Sequence, residues 1–522
     1  PNTTDNARAT LRERIRRFAL TRVGRRRVED EATRDRARAI YSKLHPSDPV
    51  IRHGWLFEKQ WVEESADELE EDDLDFNARE ERIHALRIAA LADVWAQRGF
   101  DGVTALLAES GAASTVGQYA ALCITDSPGR IDFLLRCLAL RGDLEQKADA
   151  CMLGFLWSVD AAARPSLLRT VAEKIDPDQQ VRLFKSSPFE KLTWLIADEY
   201  GTEISTRYWK EVFPQWSRRH SDSDLNELVD RLLDVERPRA AFHAAHMDWP
   251  RLETSLLKRL LTDVATVGAE AQGTYRLDAH DISEALQALD GRAGVTVNDM
   301  AQMEFRFVSA LDHSKHGIPN LERQIGESPL LYMQVMALLW KRSDDGQDPS
   351  EWRIEDQERR SAVGSAMHRV LQQMKRIPGT DADGKIVTNA LMDWLTQVRS
   401  LAAQYARAEI TDECLGQLLA KAPADSTGVW PCAPICEAME RIASPEIAKG
   451  FLVGVHNSRG AVWRGEGGAQ ERDLSARYRG WSQKLAFEYP YVASVLEEIA
   501  ASYDREAEWH DSEAKVSKRL RH

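Results

Sequence analysis

Arginine is the residue type in this sequence whose spacing most clearly points to chemistry, because residues 8–27 contain nine arginines. On a helix, Arg12, Arg16 and Arg17 share one face, and guanidinium groups on such a face can bind phosphates or carboxylates. Aromatic residues for base stacking are sparse here, so protein binding, nucleic-acid binding and a solvated helix all remain interpretations of this basic arm. The binding residues predicted for the basic arm are Arg12, Arg16, Arg17, Arg25, Arg26 and Arg27.

A glycine-rich loop at residues 457–468 is the second candidate site. It precedes an amphipathic helical pattern over 469–487, and backbone N–H groups at the start of a helix can hold an anion. Glu466 works against that interpretation, and the alternative is a tight loop that lets the preceding segment contact the helix. The anion- or ligand-binding residues predicted for this loop are Arg459, Arg464, Gly465, Gly467 and Gly468.

The sequence lacks the common catalytic and metal-binding patterns HExxH, GxSxG and paired CxxC. Residues 379–385 fit GxxxxGK, but position 386 is isoleucine where a P-loop needs a hydroxyl for magnesium, so we interpret this segment as a polar turn. The pairs His243/His246 and His313/His316 have helical spacing but no identifiable further ligand. We therefore assign no catalytic residue, no metal site and no cofactor.

Helices are the elements that must position these residues. Apolar residues recur at helical spacing in segments such as 81–99, 129–159 and 329–343. The segment 450–463 is the one strand-like stretch, and it predicts a short β-hairpin. The expected fold class is all-α, arranged as an irregular α-solenoid of helical hairpins similar to HEAT or TPR arrays, although no fixed repeat period is found.

Composition limits the class of protein. The 522 residues carry a net charge of −14, 43% of them are hydrophobic, and no apolar run is long enough to cross a bilayer. The first residues form no apolar signal segment, and six cysteines without a disulfide-scaffold spacing are typical of reduced thiols, which predicts a cytoplasmic protein.

Changes in composition along the chain predict three parts. They are the basic arm (1–45), an N-terminal helical-repeat array (46–312) and a C-terminal helical domain with the glycine-rich loop (313–522). Residues 63–81 hold eleven acidic residues and one arginine. This acidic stretch is interpreted as a solvated face, with docking of a basic partner or of the basic arm as the alternative.

Several blocks carry a family resemblance: SPLLYMQVMALLWKRSDDG (328–346), RIPGTDADGKI (376–386), GVWPCAPICEAMERI (428–442), residues 454–481 and residues 490–520. Together they resemble the C-terminal helical-repeat regions of large, uncharacterised bacterial multidomain proteins associated with anti-phage systems. The resemblance covers roughly residues 310–522. It implies a sensing or scaffolding role, and it transfers no catalytic residue because these regions have no known activity. The absence of an acceptable P-loop departs from the NTPase-containing relatives.

We therefore expect a non-catalytic, cytoplasmic helical-repeat protein that binds a protein partner as a sensor, scaffold or regulated subunit in a bacterial defence or stress system. One alternative is an enzyme whose dispersed active site lies around 457–468. The other is a nucleic-acid-associated subunit that uses the arginines of residues 8–27. No membrane partner is expected.

Overall fold

A computed structural model describes residues 2–20, 24, 28, 30–62, 76–214, 220–266, 275, 277–312, 314–460, 465 and 467–520. Within these ranges the chain forms 25 α-helices and no β-strand. The all-α prediction is confirmed. The solenoid arrangement stays a prediction.

The chain divides into two compact units. One comprises Pro1–Ala245 with Ala269–Tyr275, and the other comprises His246–Gly268 with Arg276–His522. This division lies inside the predicted array 46–312. The organisation of the chain in three parts stays a prediction.

The first unit contains thirteen α-helices among its described residues, together with a π-helical turn at Arg16–Leu20 and 3-10 turns at Gly54–Phe57 and Gly142–Leu144. The helices are α1 (Asn2–Ile15), α2 (Glu31–Lys43), α3 (Pro49–His53), α4 (Phe76–Glu109), α5 (Ala113–Cys123), α6 (Ser127–Ala139), α7 (Glu145–Ser158), α8 (Arg164–Ala172), α9 (Pro177–Lys185), α10 (Lys191–Glu199), α11 (Thr202–Glu211), α12 (Asp222–Asp234) and α13 (Pro238–Ala244).

The second unit contains the other twelve described α-helices. They are α14 (Thr254–Thr266), α15 (Ala279–Leu289), α16 (Val297–Arg306), α17 (Pro319–Glu327), α18 (Pro329–Leu339), α19 (Gln357–Gln373), α20 (Thr388–Gln404), α21 (Ala408–Leu419), α22 (Ala433–Ile442), α23 (Pro445–Ser458), α24 (Ala469–Leu485) and α25 (Pro490–Leu520).

Helix α4 shows how local sequence shapes these elements. It includes the segment 81–99 predicted from apolar spacing, and it bends at Gly99, whose φ of 56° lies in the left-handed region that glycine tolerates. Among the large residues expected in the core, Leu134, Leu156 and Trp194 have no exposed surface. Trp394 is also buried, whereas Trp95 and Leu338 are half-buried.

The predicted β-hairpin at 450–463 is wrong over its described part, because residues up to Ser458 belong to helix α23. The side chain of Ser444 accepts a hydrogen bond from the Ile447 N–H, and Pro445 occupies the first turn, so the helix has a strong start. A short apolar run fits a strand or a buried helix equally well, and here the helix start decides. Residues 461–463 of the predicted hairpin lie outside the described residues.

Candidate functional site

A cleft at the N-terminal end of the first unit has a volume of about 920 Å³. Helix α1 with its π-helical turn forms one wall, residues 46–62 form another, and the end of α4 closes it. Its lining includes three arginines and three aromatic residues, which are Arg12, Arg16, Arg17, Tyr41, Trp55 and Trp61. We call this the N-terminal cleft.

Helix α1 is fastened to the other wall of the N-terminal cleft by the carboxylate of Asp5. This buried group accepts hydrogen bonds from the Ser47 hydroxyl at 2.6 Å and from the Asp48 N–H at 2.8 Å. These two bonds lower the pKa of Asp5. Asp48 in turn caps helix α3, which begins at Pro49. The arginines of α1 are thus held against residues 46–62.

Arg87 of helix α4 binds the segment of the cleft wall that precedes Trp61. Its buried guanidinium donates hydrogen bonds to the carbonyl oxygens of Leu56, Lys59 and Gln60 at 2.9–3.1 Å. A buried backbone carbonyl without a hydrogen-bond partner costs free energy of folding. These three hydrogen bonds from Arg87 therefore stabilise the irregular conformation of residues 56–60.

The cationic groups of the cleft differ in how far they are already neutralised. Glu13 accepts hydrogen bonds from Arg16 at 2.7 and 2.9 Å and from Arg17 at 2.7 Å. Arg12 lies with its guanidinium 4.0 Å from the centre of the Tyr41 ring, and its Nε is buried without a hydrogen-bond partner among the described residues. Unlike Arg16 and Arg17, Arg12 has no carboxylate partner among the described residues. Because its Nε is buried, an incoming anionic group would meet its terminal Nη groups.

His45 lies close enough to Arg12 and Arg52 for their charges to affect its pKa. Partial desolvation, together with repulsion from Arg12 and Arg52, lowers the pKa of this imidazole. Three carboxylates also line the cleft, namely Glu13, Glu58 and Glu109. The lining therefore mixes both signs of charge around the half-buried Arg12.

Aromatic side chains complete the N-terminal cleft. Trp61 is 67% exposed, Trp55 is half-buried, and the Tyr41 ring lies under Arg12. Sequence reasoning missed all three because they lie outside the arginine segment and reach it only through the fold. The signal available in the sequence was the pair of tryptophans six residues apart directly before the acidic stretch.

The structure brings Arg12, Arg16 and Arg17 together in the N-terminal cleft, as their helical spacing predicted. Arg25, Arg26 and Arg27 lie outside the described residues, as do residues 63–75 of the acidic stretch.

The predicted anion loop contains an anion supplied by the chain itself. The carboxylate of Asp511 in α25 accepts a hydrogen bond from the Gly468 N–H at 2.8 Å and another from Arg472 at 2.6 Å. These contacts lower the pKa of Asp511. Gly467 has a φ of 79°, which places the backbone for this contact. A side-chain carboxylate thus occupies the start of helix α24.

The arginines predicted for this loop have different outcomes. Arg459 donates to the buried Glu471 at 2.8 Å and lies over the Tyr503 ring, so it belongs to the core of α23–α25. Gly465 is exposed, and a Cβ placed on it would meet nothing within 4 Å. Arg464 lies outside the described residues. The two candidate sites therefore differ. The N-terminal cleft is open, whereas the contacts at Gly467 and Gly468 are made to another residue of the same chain, Asp511.

The histidines and cysteines form no metal site in the described part of the chain, where no group of three metal-ligating side chains occurs. His246 contacts Asp281 at 3.4 Å, and His316 contacts the fully buried Glu304 at 3.1 Å. His313 lies outside the described residues. All six cysteines are free thiols.

Among the described helices none is long and apolar enough to cross a membrane. No family model, curated protein or solved structure matches this chain.

Proposed function

We propose that this chain is a non-catalytic protein-binding subunit whose N-terminal cleft holds an acidic segment of a partner protein that also carries an aromatic side chain. The observation that carries the proposal is the combination of Arg12 with the exposed Trp61 in one open cleft. Arginine and tryptophan are the residue types that most often dominate the binding energy of protein interfaces.

The charge pattern favours a protein over a nucleic acid. Phosphate backbones bind through several uncompensated cations, and each contact replaces a counterion. Here Glu13 already pairs with Arg16 and Arg17, and Glu58 and Glu109 would repel phosphates along the same cleft. A peptide can place one carboxylate at Arg12 and an apolar side chain at Trp61 while it avoids these acids.

The role proposed for the protein in the cell is the one expected from its sequence. We propose a sensor, scaffold or regulated subunit in a bacterial defence or stress system, located in the cytoplasm, where six free thiols persist. The family resemblance of residues 310–522 supports this role.

Selection from a phage-displayed random-peptide library tests the proposal. We expect wild-type protein to enrich peptides that combine acidic and aromatic residues. Their binding should weaken at least about tenfold in Trp61→Ala and in Arg12→Met, as truncation of a central anchor does.

Two matched controls separate the cleft from general surface effects. Trp509 is 61% exposed on α25, so Trp509→Ala removes a tryptophan of similar exposure elsewhere. Arg14 lies on α1 outside the cleft lining, so Arg14→Met removes the same charge from the same helix. Enriched peptides that bind all four variants equally would contradict the proposal.

A further inference from the structure

Two helix pairs, one in each unit, approach each other so closely that only glycine fits. In the first unit, a Cβ on Gly117 of α5 would lie 1.8 Å from the Cys151 carbonyl oxygen of α7, and a Cβ on Gly154 would lie 1.9 Å from the Ser114 carbonyl oxygen. The contact is reciprocal, because each helix inserts a glycine against the backbone of the other.

The second unit repeats this contact between α21 and α23. A Cβ on Gly416 would lie 2.1 Å from the Ile447 carbonyl oxygen, and a Cβ on Gly450 would lie 1.9 Å from the Glu413 carbonyl oxygen. In all four cases the carbonyl that is met belongs to the residue three positions before the partner glycine. The two crossings therefore have the same register as well as the same spacing.

The residues beside these glycines also agree. Glutamine follows Gly117 and Gly416, and the dipeptide Phe-Leu follows Gly154 and Gly450. Both phenylalanines are completely buried, and each stacks on an aromatic ring from the segment between the two crossing helices. The Phe155 ring lies 4.6 Å from Phe133 at 19°, and the Phe451 ring lies 5.0 Å from Trp430 at 29°.

Burial also agrees at two positions after the glycine in both units. Three residues after the glycine, Trp157 and Val453 are exposed apolar side chains at 55% and 36%. Five residues after it, Val159 and Val455 are both buried at 2%. A helix that turned a different face to its partner would not match at each of these positions.

We propose that residues 113–158 and 408–458 are two copies of one three-helix module, in which the first and third helices cross through reciprocal glycines. The proposal does not depend on the proposed function, since it concerns the scaffold. It does explain how an array without a detectable short period is built from repeated units.

The copies share their interior and differ on their surface. Lys449 and Glu413 form an ion pair at 2.6 Å across the second crossing. The matching positions of the first crossing hold Leu153 and Ser114. Repeat proteins commonly keep the interior and vary the exposed face, which is where partners are distinguished.

A register-controlled helix exchange tests the proposal. The matched graft replaces Ala113–Cys123 with the residues of 412–422, so that the glycine falls at position 117. The shifted graft uses residues 411–421, which have nearly the same composition but place the glycine one position later. A third protein combines the matched graft with replacement of Ala150–Ser158 by the residues of 446–454, which restores both sides of the crossing.

The readout is amide hydrogen-exchange protection of α5 and α7 in the full chain. We expect the combined graft to keep protection within about tenfold of wild type and the shifted graft to lose at least about a hundredfold. Should the matched graft alone fail to fold, rescue by the combined graft still supports the module. Equal loss of protection in the combined and shifted grafts would overturn it.

Discussion

Replacement of Gly154 by alanine adds one methyl group at the tightest helix crossing of the first unit. The new carbon would lie 1.9 Å from the Ser114 carbonyl oxygen. Non-bonded carbon atoms settle near 3.5–4.0 Å, and carbon–oxygen contacts are only slightly shorter, so α5 and α7 must separate by more than about 1 Å. Neither contact atom can rotate away, because the Cβ is bonded directly to the Cα and the carbonyl oxygen belongs to the backbone.

The expected cost follows from the close packing of this interior. Overfilled cores lose about 1–3 kcal/mol, and separation of the helices also loosens the contact of Phe155 with Phe133. Alanine recovers about 1 kcal/mol of helix propensity relative to glycine. We therefore expect Gly154→Ala to destabilise the first unit by about 0–2 kcal/mol net, which is about 1–3 kcal/mol below a glycine-to-alanine change without a clash. Gly450→Ala should affect the second unit similarly.

Urea unfolding followed by hydrogen exchange of each unit measures these changes. Gly480→Ala is the matched control, because Gly480 lies within helix α24 and a Cβ there meets nothing within 4 Å. The control should gain about 1 kcal/mol from helix propensity alone. If Gly154→Ala were as stable as Gly480→Ala, the close-crossing argument would be refuted.

Two further predictions concern the second unit. The buried guanidinium of Arg407 donates hydrogen bonds to both Asp348 carboxylate oxygens at 2.8 and 2.7 Å and to the Trp340 carbonyl at 2.9 Å. Arg407→Met should therefore destabilise this unit by about 3–5 kcal/mol. Chemical denaturation of the variant measures the loss, and a change below about 1 kcal/mol would contradict the prediction. Hydrogen bonds from Lys258 and Thr296 lower the pKa of Asp299 from 3.8 to about 2, so its stabilising contribution is present above pH 3.8 and is lost as the pH falls toward 2. The stability difference between wild type and Asp299→Asn should therefore shrink over that interval, and a constant difference would refute the assignment.

The sequence predicted the helices because long periodic apolar runs have one dominant solution. The same reasoning failed at residues 450–458, where Phe451 and Val453 suggested a strand. Gly450 instead lets the run cross α21 as a helix, and that contact depends on residues more than thirty positions away. Local pattern alone could not distinguish the two structures.

The candidate site was predictable in part. Arg12, Arg16 and Arg17 share a helix face through local geometry, and the cleft preserves that arrangement. The contribution of Trp61 requires knowledge of how Asp5 and Arg87 fasten two distant segments together. Tertiary hydrogen bonds of this kind leave no periodic signal.

The repeated module could not be predicted from the sequence for a related reason. Its signature in the sequence is only Gly-Gln and Gly-Phe-Leu, and the two copies are separated by residues 159–407 rather than by a short period. Backbone contact at the glycines makes the equivalence visible.

Competition binding tests the central claim most directly. In a fluorescence anisotropy titration with the most enriched labelled acidic–aromatic peptide, unlabelled single-stranded poly(dT) serves as the competitor. The account predicts saturable peptide binding, at least about tenfold weaker in Arg12→Met than in Arg14→Met, with no displacement by poly(dT). Displacement by poly(dT), or equal affinity of the two variants, would contradict it.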